Sequence, residues 1–145
     1  MLINGFQVVA RSDIGKPASI LIVEDEALIA SYIEDVLGEA GYRVAGIAAS
    51  GAEALALAAE NQPSLALVDI RLTGSLDGIE LACLLRERLS IPAIFLTGFA
   101  DAETTRRAET AQPLGFLPKP FLPSQVFKAI ERALAAVKTS DSEKI

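Results

Sequence analysis

The sequence contains no histidine and only one cysteine, Cys83. Without histidine there can be no Ser-His or Cys-His dyad, no histidine-based metalloprotease site and no histidine phosphodonor in the chain itself. A lone cysteine allows neither an internal disulfide nor a cysteine zinc site, and in its apolar helical stretch Cys83 reads as a small packing residue. Basic residues are outnumbered, 13 against 19 acidic ones, for a net charge of −6 and a pI of about 4.7. That balance argues against a basic stripe that would hold nucleic acid. No apolar run approaches transmembrane length, and residues 1–18 lack the continuous apolar core of a signal peptide. The expected setting is cytoplasmic, with neither membrane nor nucleic acid as partner. Any chemistry must come from carboxylates, hydroxyls, lysine and the backbone.

What is present suits one globular domain: 145 residues, 51% hydrophobic and 22% charged. Ser19 to Val23 is a short, β-branched apolar run that reads as a buried strand and ends at three acids. Leu28, Ile29, Tyr32, Ile33, Val36 and Leu37 then fall on one face of a helix that stops near Gly38 or Gly41. Tyr42 to Ala48 gives a second strand, and Ser50 can cap an Ala- and Leu-rich helix running to Asn61. Leu65 to Ile70 reads as a third strand and Ala93 to Thr97 as a fourth. Between them lies a helix after Asp77-Gly78 that carries Ile79, Leu81, Ala82, Leu85 and Leu89. Asp101 to Thr110 forms a polar, weakly amphipathic helix, and Leu114 to Leu117 a fifth strand. Pro123 opens a last helix with Val126, Phe127, Ile130, Leu134 and Val137 on one face.

Five apolar strands alternating with helices imply a (βα)5, doubly wound parallel five-stranded sheet between two helical layers. Right-handed crossovers bring all strand C-termini to one edge, where ligands of such folds bind. The domain is expected over residues 19–138, with an N-terminal extension of unassigned role over 1–18 and a polar, frayed tail over 139–145. In the extension Phe6, Val8 and Val9 could dock on the domain or remain unordered. No output region is expected after Val137.

The polar residues gather at that one edge. Glu24, Asp25 and Glu26 follow the first strand, Asp69 ends the third, Thr97 ends the fourth, and Lys119-Pro120 follows the fifth. Taken singly, each has an ordinary reading: an acid at a strand end is usually a solvated cap, and a lysine a solvated surface charge. Their conjunction on one edge carries the functional reading. Clustered carboxylates repel unless a cation sits among them, and a hard divalent ion with few protein ligands, Mg²⁺, fits best. Lysine and threonine beside it supply charge compensation and a hydrogen bond to a transferring phosphoryl group, with a carboxylate as nucleophile.

The segments ILIVEDEALI, LALVDIRL, DGIEL, AIFLTGF and GFLPKPF resemble the response-regulator receiver family of two-component signalling. The resemblance implies the flavodoxin-like strand order 2-1-3-4-5 and phosphorylation of Asp69 by a histidine kinase or histidine phosphotransfer protein. It implies Asp25 as direct Mg²⁺ ligand, Glu24 as a ligand through water and the backbone carbonyl of Arg71 as a further ligand. Thr97 and Lys119 would bind the phosphoryl oxygens, and Thr97 with Phe116 would form the switch. Lys119-Pro120 would be cis. Output would pass through binding to a downstream protein or through a phosphorelay, with a phosphorylation-linked dimer as one form, and the chain would catalyse only its own phosphorylation and dephosphorylation. The DIRLTGSLDG loop is one residue longer than is common in the family and lacks the usual proline after Leu72, and Thr97-Gly98-Phe99 replaces the common Thr-Ala or Ser-Ala ending. Arg71 and Phe99, two residues past the acceptor and the hydroxyl, are positions expected to slow hydrolysis.

Three rivals are weaker. Asp69-Ile70-Arg71-Leu72-Thr73 approaches the Asp-x-Asp-x-Thr signature of small aspartate-nucleophile phosphatases of the haloacid-dehalogenase type, but Arg71 stands where the general acid belongs. A flavodoxin-like mononucleotide carrier needs a phosphate-cradling loop where Glu24-Asp25-Glu26 would repel phosphate. A phosphate sink or scaffold receiver without direct output is the third.

Overall fold

The computed structural model describes residues 17–98 and 101–144, with side chains through Lys138. Phe6, Val8, Val9 and Phe99 lie outside the described residues. Five strands, β1 (Ser19–Val23), β2 (Arg43–Ala48), β3 (Leu65–Asp69), β4 (Ala93–Thr97) and β5 (Gly115–Pro118), alternate with α1 (Ala27–Glu39), α2 (Gly51–Asn61), α3 (Gly78–Leu89), α4 (Ala102–Glu109) and α5 (Pro123–Lys144). All pairings are parallel and the order is β2-β1-β3-β4-β5, as expected.

The centre of the sheet is buried on both faces because β1, β3 and β4 are apolar runs between their end residues, whereas the edge strands β2 and β5 are partly exposed. The strands' period of two divides the core. Leu21, Val23, Ala66, Val68, Ala93 and Phe95 face one layer, with Ala54 and Ala58 of α2 and Leu81 and Leu85 of α3. Ile20, Ile22, Leu65, Leu67, Ile94, Leu96 and Leu117 face the other, with Ile33 and Leu37 of α1 and Val126 and Ile130 of α5. An extra residue, Ala45, interrupts the β1–β2 register, and Asn61 Nδ2 satisfies its carbonyl at 2.8 Å.

Local signals explain the helix starts. Ser50 accepts from Glu53 N, as anticipated. Asp77 and Glu80 form a reciprocal capping box at α3, which the Asp-x-x-Glu spacing encodes. The expected polar helix exists as α4, capped by Asp101 accepting from Thr104 N at 2.7 Å. Only Ala108 of α4 is buried, which accounts for its weak periodicity.

Two expectations need correction. Leu28, assigned to the buried face of α1, is 87% exposed; packing on the core begins at the next residue, Ile29, and full burial at Ala30. The segment expected as a frayed tail after residue 138 continues α5 to Lys144. No Gly or Pro interrupts it, and extending a formed helix costs far less than nucleating one.

Candidate functional site

The alternation that builds the core also aims the site residues. Glu24 continues the phase of Ile20 and Ile22, Asp69 that of Leu65 and Leu67, and Lys119 that of Leu117, all on the α1/α5 side. At the edge of the sheet their side chains meet. Lys119 Nζ lies 2.8 Å from Glu24 Oε1 and 3.3 Å from Asp69 Oδ2. Glu24 is 1% exposed and Asp69 6%, the two buried polar residues among those described. Backbone amides hold the other oxygens: Glu26 N donates to Glu24 Oε2 and Arg71 N to Asp69 Oδ1, each at 3.0 Å.

Asp25 completes the cluster. One carboxylate oxygen from each of Glu24, Asp25 and Asp69 lies within 4.8 Å of the others. Three carboxylates against one ammonium leave two negative charges uncompensated, and the donors are all hard oxygens. This donor set fits a divalent cation such as Mg²⁺. Electrostatics agree. Burial, reinforced by the charge of Asp69, holds the Glu24 carboxyl above its ordinary range despite the Lys119 contact. Burial by itself would lower the Lys119 ammonium, but its hydrogen bond to Glu24 and the charges of Asp69 and Glu24 outweigh burial and raise it. The lysine is therefore a fixed positive charge at neutral pH.

Thr97 belongs to the opposite phase, that of Ala93 and Phe95. Its Oγ1 is buried without a hydrogen-bond partner among the described residues. An unpaired buried hydroxyl is costly unless a ligand completes it. Thr97 O also accepts from Lys119 N at 2.7 Å, which ties the ends of β4 and β5 together. Phe116 pairs in register with Phe95 on the same side; their rings are 5.9 Å apart, and Phe116 is 39% exposed. The Lys119-Pro120 bond is cis.

Of the sequence-derived site residues, Glu24, Asp25, Asp69 and Lys119 are brought together at this edge, Thr97 ends β4 there, and Phe116 lies one position further into the sheet, opposite Phe95. The sequence did not disclose two contacts made by its loops. Thr73 Oγ1 donates to Asp25 Oδ2 at 3.2 Å, and Arg107 of α4 pairs with Asp77 Oδ2 at 3.2 Å. Both join residues at least 30 positions apart, beyond the reach of periodicity.

Among the described residues no helix is long and apolar enough to cross a membrane. The chain is 36% identical over 124 residues to the transcriptional regulatory protein PdtaR of Mycobacterium tuberculosis, covering 86% of this chain and 60% of that one. It is 35% identical over 116 residues to the phyllosphere-induced regulator PhyR of Methylorubrum extorquens, covering 79% and 43%. It therefore spans less than two thirds of either regulator. Among solved structures, the signal receiver domain of a modulated diguanylate cyclase from Desulfovibrio desulfuricans superposes with a TM-score of 0.83 at 38% identity, covering 86% of this chain and 99% of that one. The model of the response regulator receiver domain matches residues 20–131, and the chain belongs to that family.

Proposed function

We propose that this chain is a phosphoacceptor that takes a phosphoryl group from a phosphohistidine of a histidine kinase or histidine phosphotransfer protein. The observation that carries this reading is the convergence of Glu24, Asp25 and Asp69, two of them paired with Lys119, together with the buried, unpartnered Thr97 hydroxyl at the end of the adjoining strand β4. An Asp69 carboxylate oxygen attacks phosphorus, the P–N bond breaks, and the imidazole leaves with its electron pair and takes up a proton. Asp25 and Asp69 would hold Mg²⁺ directly, Glu24 through water, and the Arg71 carbonyl would add a ligand. The ion would neutralise charge on the phosphoryl oxygens. Lys119 and Thr97 would bind those oxygens. Thr97, drawn toward them, would vacate space for Phe116 and bias a two-state surface around α4 and β5 toward a downstream protein. We infer a cytoplasmic setting, and no activity beyond the chain's own phosphorylation and dephosphorylation.

Incubation with acetyl phosphate should add one phosphoryl group in the presence of Mg²⁺ and essentially none in its absence. Equal labelling in chelator would overturn the metal's role, and no labelling from any donor would overturn the function.

A docking face for the donor lies next to the site. Leu28, Ile29, Tyr32, Pro120 and Phe121 line an apolar groove with Lys119 at its end, and Leu122 beside it is 64% exposed. An exposed apolar groove of this kind suits the side of an amphipathic helix. Leu28→Glu should lower transfer from a phosphorylated protein donor, relative to acetyl phosphate, about tenfold or more. An unchanged ratio of the two rates would place the donor elsewhere.

A further inference from the structure

The loop from β3 to α3 departs from the commonest receiver pattern, and the structure assigns a use to the departure. Ile70 and Leu72 are buried in the core and fix its first turn. Leu76 fixes its far end, seated over Gly51 at the start of α2 so tightly that a Cβ there would meet it at 2.7 Å. Between these anchors the alternation turns Arg71 and Thr73 outward. Thr73 reaches across to the β1–α1 loop, where its hydroxyl donates to Asp25 Oδ2 at 3.2 Å. A proline, usual in the family at this position, has no hydroxyl to offer.

We propose that Thr73 is a positioning residue for the metal: its hydroxyl holds the Asp25 carboxylate in orientation and leaves the other oxygen for the ion. Of the three clustered acids, Asp25 is the one that is neither buried nor paired with Lys119. It therefore depends most on a neighbour to fix its rotamer. Partners that orient a metal-ligating carboxylate raise affinity by reducing what must be ordered when the ion binds.

This inference rests on the metal reading above, and one titration separates the two. Mg²⁺ is titrated into the full-length protein while the Arg71 amide resonance, whose N–H donates to Asp69, reports occupancy. Thr73→Val keeps the branched shape and loses the donor; it should weaken Mg²⁺ about fivefold to tenfold. Thr73→Ser should return affinity to within about twofold of wild type, and Ser75→Ala, in the same loop, should change nothing. Equal affinity of wild type and Thr73→Val overturns the proposal and leaves the metal site standing. So does a serine variant as weak as the valine variant, since the hydroxyl would then not be the cause. Absence of any saturable shift in wild type strikes the metal reading itself.

Discussion

Asp69→Asn is expected to abolish phosphorylation from acetyl phosphate and from protein donors alike, while leaving the fold intact. The amide is nearly the same size and keeps an oxygen for the Arg71 N–H, so the backbone at the end of β3 retains its partner. What disappears is the nucleophile, because a neutral amide oxygen cannot form a stable acyl phosphate. Two opposite effects should accompany the loss. Mg²⁺ affinity should fall by about an order of magnitude or more, as one carboxylate leaves a site with few protein ligands. Metal-free stability should rise, because the charge of Asp69 opposes ionisation of buried Glu24. Lys119 then serves Glu24 alone. Mass spectrometry after phosphorylation, with thermal unfolding in chelator, measures both. Wild-type labelling of the variant would mean that Glu24 or Asp25 accepts the phosphoryl group. A large drop in metal-free stability would mean that the Asp69 charge holds Lys119 in place.

Gly78→Ala should produce the largest loss of stability of any single methyl added to this chain's described glycines. Gly78 opens α3 with its Cα against the end of β3. A Cβ built there would overlap the carbonyl oxygen of Asp69 and lie 2.9 Å from Ile70 Cα. Both are main-chain atoms locked in the sheet, and Ile70 N donates to Leu96 O at 3.0 Å. Neither can step aside as a side-chain tip would. The helix must lift instead, and that pulls on the capping box of Asp77 and Glu80. About 3 kcal/mol of stability should go, near the upper end for overpacking, with slower phosphorylation as Asp69 shifts. Urea denaturation reads the first effect and phosphorylation rate the second. Gly98→Ala is the comparison, because nothing lies within 4 Å of the position a Cβ would take there. A loss below about 1 kcal/mol in Gly78→Ala would show that α3 accommodates the methyl without moving β3.

Strands were the most legible part of the chain. β1 and β4 have the bounds expected from their apolar runs, and β3 stops one residue earlier, at Asp69. Strands this apolar have few alternatives, since exposing either face would cost more than any turn propensity can return. The site edge was equally legible, because parallel topology converts position along each strand into position in space. Leu28 was not, since an apolar stripe on a helix does not reveal where the sheet beneath it ends. The closeness of Gly78 to Asp69 and of Thr73 to Asp25 was invisible for a different reason. Both depend on the path of a loop, which Leu72 and Leu76 fix by burial and not by any local pattern.

The sheet also has a consequence for how such a chain changes over generations. Glu24, Asp69, Lys119 and the groove beside Leu28 lie with one helical layer, and Thr97, Phe116 and Phe95 with the other. At the ends of β4 and β5 a main-chain hydrogen bond, Lys119 N to Thr97 O, ties the two sides together, and side-chain identity is immaterial to it. A lineage can therefore exchange residues around Leu28 without disturbing those around Phe116, and the reverse. Substitutions around Leu28 and around Phe116 fall on opposite faces of the sheet, and their effects on the stability of the unphosphorylated chain should add. Duplicated copies of such a gene can diverge in what they hear and in what they tell as two separate inheritances.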